Sequence, residues 1–321
     1  MADSFLQRLA GKFGVGKPSE PSAPQLDVIV FGKHPGWNDH IPELGPEPPR
    51  LVQFKQSLYE GITGNVDNGQ WEKLEQSGQL QPWGHHFLLT GGEPVAARCW
   101  YSRDGLGRDR YPMIAAALCG GMPTGWIAQE AFPVLQSLQK QCEAATSATA
   151  VRAASLLATT QLRGRAAARV GAAPDATAHL ASRAEFGPHR TGLLRVLYHI
   201  EREFPQGEKP SQSRHEEPRP LSLRVPACAD SASVAAEIWS RFLGSRVSGP
   251  VGVLCIVPDG APWLDAIVGP TDVAQLFCLR APLSIIPFTS EIPYTLDPQF
   301  VAQTEKWIED RILSRAALAP P

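Results

Sequence analysis

No window of eighteen consecutive apolar residues occurs in this 321-residue chain, so no segment of it reads as a membrane-spanning helix. Cysteine is sparse and scattered: Cys99, Cys119, Cys142, Cys228, Cys255 and Cys278, with no CxxC pair among them. That pattern speaks against a disulfide framework and for buried, reduced thiols in a cytoplasmic protein. An excess of one charge is also lacking. The 30 Lys and Arg against 32 Asp and Glu leave a net charge of −2, with no global pull toward nucleic acid or anionic lipid. The short signatures of catalysis are missing too: there is no GxSxG elbow, no HExxH or HxxxH, and no Ser or Cys in a recognisable nucleophile setting. The opening "MADSFLQRLAGKFG" lacks the apolar core and small-residue cleavage site of a secretory signal, which adds to the cytoplasmic expectation.

What is present is an ordinary globular balance, 43% apolar and 19% charged, at a length that buries a substantial core in one large domain or two smaller ones. Thirty prolines predict long loops. Residues 1–25 divide into an amphipathic stretch and a Gly/Pro/Ser linker. Phe5, Leu6, Leu9 and Phe13 recur at near-helical spacing with Arg8 and Lys12 opposite. Residues 3–13 read either as a frayed or self-packed terminus, or as a contact for a partner or a membrane surface.

From residue 26 onward the pattern alternates. "LDVIVFG" reads as a buried strand, Leu51, Phe54, Leu58 and Ile62 as a helical stripe, and Trp71 and Leu74 as a short second helix. "HHFLLTG", "PVAARCWYS" and "YPMIAAALCGG" read as three strands, with "GGEP" turning the first hairpin. Residues 126–204 are rich in Ala, Leu and Arg and read as several helices; residues 205–220 are polar and proline-dotted and read as a mobile linker. A strand at "LSLRVPA", a helix capped by Asp230 and stopped at Gly244, a strand–turn–strand, and a last helix opened by Asp297 and Pro298 complete the chain. The expected fold class is α/β: one layered α/β/α-type domain over residues 26–321, its mixed or antiparallel central sheet interrupted by the helical block.

Four candidate constellations stand out. "GKFGVGKP" places Gly11, Gly16 and Lys17 as in a phosphate-binding loop, but Pro18 replaces the required hydroxyl and the flanking elements are wrong. His34, Asp39, His40, His85 and His86 carry metal-ligand chemistry, although His85 and His86, adjacent in a strand, must face opposite ways. A metal-dependent hydrolase built on His34, Asp39, His40 and His85 is therefore the alternative to a binding protein. Between Arg152 and Arg195 lie seven arginines and no lysine, which reads as a solvated helix face, a contact for an acidic protein, or a nucleic-acid accessory. Finally, "RDGLGRDRYP" sets Arg103, Asp104, Arg108, Asp109 and Arg110 between two buried strands. It is a catalytic cluster, a latch or a partner contact.

Two loops resemble one family. "VFGKHPGWNDH" is similar to the strand, Gly-Lys-x-Pro and following Asp near the start of TagF-like proteins, accessory components of bacterial type VI secretion. "YSRDGLGRDRYPM" resembles that family's second signature, and "VGPTDVAQLF" resembles a segment near its end. The first loop matches at Gly32, Lys33, Pro35 and Asp39, the second at Ser102, Asp104, Gly107, Arg108, Tyr111 and Pro112. His34 and His40 depart from the apolar or aromatic residues usual there, and the stretch from Gly107 to Tyr111 is one residue longer. The resemblance implies a non-enzymatic regulator, without cofactor, that binds other type VI secretion proteins. A forkhead-associated scaffold protein or a membrane-complex component is the implied partner, and recruitment to the inner-membrane complex the implied site of action. Asp104 and Arg108, four apart across a glycine-bearing turn, are close enough to pair with each other or with the Lys33–Asp39 loop.

Overall fold

Strand β1 (Leu26–Gly32) shows how the chain distributes its apolar residues. Leu26, Val28 and Val30 enter one hydrophobic cluster while Ile29 and Phe31 enter another. A strand buried on both faces reads as an unbroken apolar run, because successive side chains point to opposite sides. The same division holds in β4 (Met113–Cys119), where Ala115 and Ala117 lie in the first cluster and Ile114, Ala116 and Leu118 in the second. The sheet therefore needs a cover on each side. The computed structural model describes residues 24–42, 44–171, 175–203, 220–247 and 251–316. The segments expected as an N-terminal amphipathic piece with its phosphate-loop-like motif, and as the linker at 205–220, lie outside the described residues or almost wholly so.

Seven strands form one sheet in the order β1-β4-β3-β2-β6-β7-β5. Besides β1 and β4 these are β2 (Gly84–Thr90), β3 (Val95–Trp100), β5 (Leu221–Pro226), β6 (Val253–Pro258) and β7 (Trp263–Val268). Every neighbouring pair is antiparallel. One face is covered by α1 (Pro49–Asp67), α2 (Gln70–Gln76) and the segment around Leu276 and Leu279. On the other lie α3 (Phe132–Ala144), α4 (Ala148–Gly164), α5 (Ala176–Ala181), α6 (Thr191–Glu203), α7 (Ala232–Arg246) and α8 (Pro298–Ala316). The layered α/β fold with its helical block is thus as expected, and the strand at Leu221 belongs to the same sheet as the strand at Val28.

Boundaries moved in one place. Ser231, not Asp230, caps α7: its hydroxyl accepts from the Val234 N–H at 3.3 Å. The helix also runs through Gly244 to Arg246, because Gly in a helix costs only about 1 kcal/mol against Ala and buried Phe242 and Leu243 hold that last turn. Before α3 the helical path widens into a π segment, Ile127–Ala131. Pro133, which has no N–H to donate to the preceding turn, accounts for the wider geometry.

Both sheet edges are partly covered. Along β1 the Val30 N–H donates to Leu44 O at 3.1 Å, and Arg163 donates to Leu26 O and to Asp27. At the other edge the Arg224 N–H donates to the Thr289 hydroxyl. Unpaired edge backbone would invite aggregation, and these contacts reduce it. Arg224 does more. Paired across the ladder with Asp265, it donates to both carboxylate oxygens at 2.7 and 2.8 Å and also to the carbonyls of Cys278, Ala281, Pro282 and Ile286. One buried guanidinium thereby fastens residues 278–286 over the sheet.

Candidate functional site

The two signature loops leave the same end of the sheet, after β1 and between β3 and β4, which are neighbours or next neighbours in the ladder. Antiparallel pairing of β1 with β4 sets Gly32 opposite Met113, so Lys33 emerges beside Pro112, to whose carbonyl its N–H donates at 3.2 Å. Gly32 has φ +101°, and a Cβ there would run into the Pro112 carbonyl oxygen. Only glycine lets the loops separate so close to the ladder. The Gly32 N–H donates to the Tyr59 hydroxyl of α1 at 3.1 Å, and the Ile41 N–H returns to Gly32 O at 2.8 Å. The first loop is therefore closed at its base.

Four charges join the loops. The Lys33 ammonium, almost fully buried, donates to Asp39 Oδ1 at 2.7 Å and to Asp104 Oδ2 at 2.9 Å. Arg108 Nε donates to Asp104 Oδ2 at 2.7 Å, and its Nη2 donates to Asn38 O at 2.7 Å and lies 3.3 Å from Asp39 Oδ1. The other Asp104 oxygen accepts the N–H groups of Leu106 and Arg108, both at 3.0 Å. Charge-assisted bonds of this length are the strong kind, and the network crosses 71 residues of sequence between Lys33 and Asp104.

Electrostatics keep the two carboxyls of the network ionised at neutral pH. Hydrogen bonding from Lys33 lowers the Asp39 carboxyl to about 2. Burial pushes Asp104 up, but Lys33, Arg108 and the two backbone N–H groups outweigh it and hold that carboxyl far below its ordinary range. His40, 3.1 Å from Asp39 Oδ1, packs edge-on against Tyr111 and Tyr59, and burial followed by Lys33 lowers its pKa.

Around the charges the loops touch closely. The Gly105 N–H donates to Trp37 O at 2.6 Å, and a Cβ on Gly105 would lie 2.6 Å from Asn38 Oδ1. Gly107 adopts φ +81° in the turn that lets Asp104 bond the N–H groups ahead of it. Tyr111 is half-buried and Pro112 buried; Pro35 is exposed, and Ser102 is half-buried with no hydrogen bond to the four charges. Outward from this base point Leu106, 66% exposed, and Arg103 and Arg110, which form no ion pair among the described residues. Asp109 instead accepts from the Tyr101 hydroxyl at 2.8 Å.

The histidines of the hydrolase alternative separate. His34 accepts the Gly36 N–H at Nδ1 and donates from Nε2 to Cys142 O at 3.0 Å, so both ring nitrogens are in use and the loop is tied to α3. Burial lowers its pKa. His85 is fully buried between Trp83 and Phe87, with its pKa lowered by that burial to about 3. His86 faces the opposite side, where Arg98 donates to its Nδ1 and also holds Asp259 and Gln139. Among the described residues no three His, Cys, Asp or Glu side chains converge as metal ligands. The arginine-rich block disperses likewise: Arg163 holds Asp27, Arg165 Glu130, Arg183 Glu185, Arg190 the Ala181 carbonyl and Arg195 the Ser290 carbonyl.

Sequence reasoning missed Tyr59, Asn38, Gly105 and the exposed Leu106. Asn38 and Gly105 act through backbone or close approach, which leaves no motif; Tyr59 comes from a helix 27 residues away.

Neither a family model nor a curated protein matches the chain. Three solved chains do, among them PA0076 from Pseudomonas aeruginosa PAO1, at 19% identity and a TM-score of 0.31. That match covers 46% of this chain and 64% of the Pseudomonas protein, so the overlap is partial on both sides.

Proposed function

We propose that this chain is a TagF-like accessory protein that regulates bacterial type VI secretion after translation, by binding protein partners rather than by catalysis. The observation that carries the reading is the meeting of its two signature loops in one charge network, Lys33–Asp39–Asp104–Arg108. Bonds among its own charges occupy most of that network. It holds a loop surface in one shape, and a surface already ordered loses less entropy on binding. Leu106, Arg103 and Arg110 are the groups this base displays. A forkhead-associated scaffold protein or a component of the membrane complex is the partner the resemblance implies, and the protein would act at the inner membrane from the cytoplasmic side. No helix among the described residues is long and apolar enough to cross a membrane.

The test is a secretion assay in the host strain lacking this gene, complemented with wild type, Leu106→Asp or Arg103→Glu/Arg110→Glu. Expected is loss of secretion control in both variants at unchanged protein level and melting temperature. Full control by both would remove the loops as the working surface.

A further inference from the structure

At the opposite end of the sheet from the signature loops lies a groove of about 380 Å³ between α1 and the ends of β2, β6 and β7. Phe54, Leu58, Leu89, Leu254 and Pro270 give it apolar walls. Gly91, Gly252 and Gly269 form part of its lining. Of the residues that line it, Arg50 alone is charged.

Arg50 has no carboxylate within ion-pair distance among the described residues. Its Nε donates to Glu93 O at 3.2 Å, Nη1 to Gln53 Oε1 at 3.3 Å and Nη2 to Thr90 O at 3.3 Å, all neutral acceptors. The Glu93 carboxylate itself is turned toward Gly120. Three of the five guanidinium N–H groups are thereby used and two remain. Burial lowers the Arg50 pKa and the charge of Glu93 opposes that in part, so the guanidinium is partly withdrawn from water with no carboxylate in direct contact. Such a group gains from an anion, most of all one delivered on an apolar body that fills the groove behind it. Ser57 and Thr271 add hydroxyl groups to the same lining.

We propose that this groove binds a small amphipathic carboxylate, an alkyl chain against Phe54, Leu58 and Leu254 with its carboxylate on Arg50. The size suits one small ligand, since such sites begin at about 300 Å³. A peptide laid in as an extra strand is disfavoured, because β2, β6 and β7 are all interior strands with both edges paired.

The probe is decanoate, with decanol and acetate as controls, titrated calorimetrically into the full chain. Decanoate is expected to bind saturably at one site and about ten- to a hundredfold more tightly than decanol, the range of a charge-assisted contact. Acetate, which lacks the tail, should not bind measurably. Arg50→Gln should bring decanoate down to the decanol level and leave decanol unchanged. Ser57→Trp, which fills the groove, should abolish both, with the melting temperature reporting that each variant folds. Equal affinity for decanoate and decanol, or decanoate binding indifferent to both substitutions, would overturn the proposal. A saturable response to the tripeptide acid Leu-Val-Leu with none to decanoate would overturn the small-molecule assignment.

Discussion

Replacing Lys33 by Met keeps the methylene stem and deletes the ammonium at the centre of the loop network. Two charge-assisted bonds disappear, to Asp39 at 2.7 Å and to Asp104 at 2.9 Å. Stripping one partner from a buried ion pair costs about 3–5 kcal/mol when the other is left uncompensated. Here the damage is smaller. Asp104 keeps Arg108 Nε and two backbone N–H donors, and Asp39, 71% exposed, returns to water. A loss of about 2–3 kcal/mol follows, or roughly 3–5 °C in melting temperature for a chain of this size. The pH dependence is specific. Both carboxyls have depressed pKa values in the folded state, so their contribution is present above the unfolded carboxylate value of about 4 and fades as pH falls through the folded values, about 2 for Asp39. Calorimetric scans of wild type and Lys33→Met should therefore differ most at pH 5–7 and converge toward pH 2. A difference under about 1 °C at pH 7, or one that does not shrink in acid, would refute the network as a structural latch.

Arg224→Met should be more damaging, about 3–5 kcal/mol at neutral pH, since it leaves Asp265 buried without its partner. Burial already pushes that carboxyl up to about 6, and an acid with a raised folded pKa loses stability as pH rises; urea midpoints of the variant should improve between pH 7 and pH 5. The six cysteines are all buried, with Cys119, Cys142 and Cys228 pushed up to about 12 by burial, so Ellman's reagent should find no fast thiol in the native protein and six after denaturation. Alanine at His34, His40, His85 or His86, one at a time, should leave secretion control within a few-fold wherever the protein still folds; loss of a general base or metal ligand would cost about 10²–10⁴-fold.

Much of the scaffold could be read in advance where both periodicity and burial spoke. The stripe Leu51, Phe54, Leu58, Ile62 became the buried face of α1, and the unbroken runs "LDVIVFG" and "MIAAALC" became adjacent strands covered on both sides. The pairing order was not legible, because β2 lies against β6 across the whole helical block and no local signal encodes such a contact. At the site, Asp104 with Arg108 was visible from spacing alone, and the loop resemblance named Lys33 and Asp39. That one buried ammonium bridges all of it was not, since Lys33 reaches Asp104 only once β1 and β4 have paired. Arg224 went unnoticed within "LSLRVPA" because an arginine in a short strand looks solvent-facing until its partner across the ladder is known. The expected cap at Asp230 failed by one residue, where two adjacent good cap formers, Asp230 and Ser231, compete and the sequence does not rank them.

The proposed function requires the signature loops to form a prepared binding surface. Its most direct test is the equilibrium affinity of the purified chain for the forkhead-associated scaffold protein of the same secretion system, measured by interferometry for wild type, Leu106→Asp and Arg103→Glu/Arg110→Glu. Saturable wild-type binding is predicted, weakened at least tenfold in each variant while the melting temperature stays within about 1 °C. Equal binding by all three proteins, or none by the wild type to that scaffold or to any membrane-complex component, would contradict it.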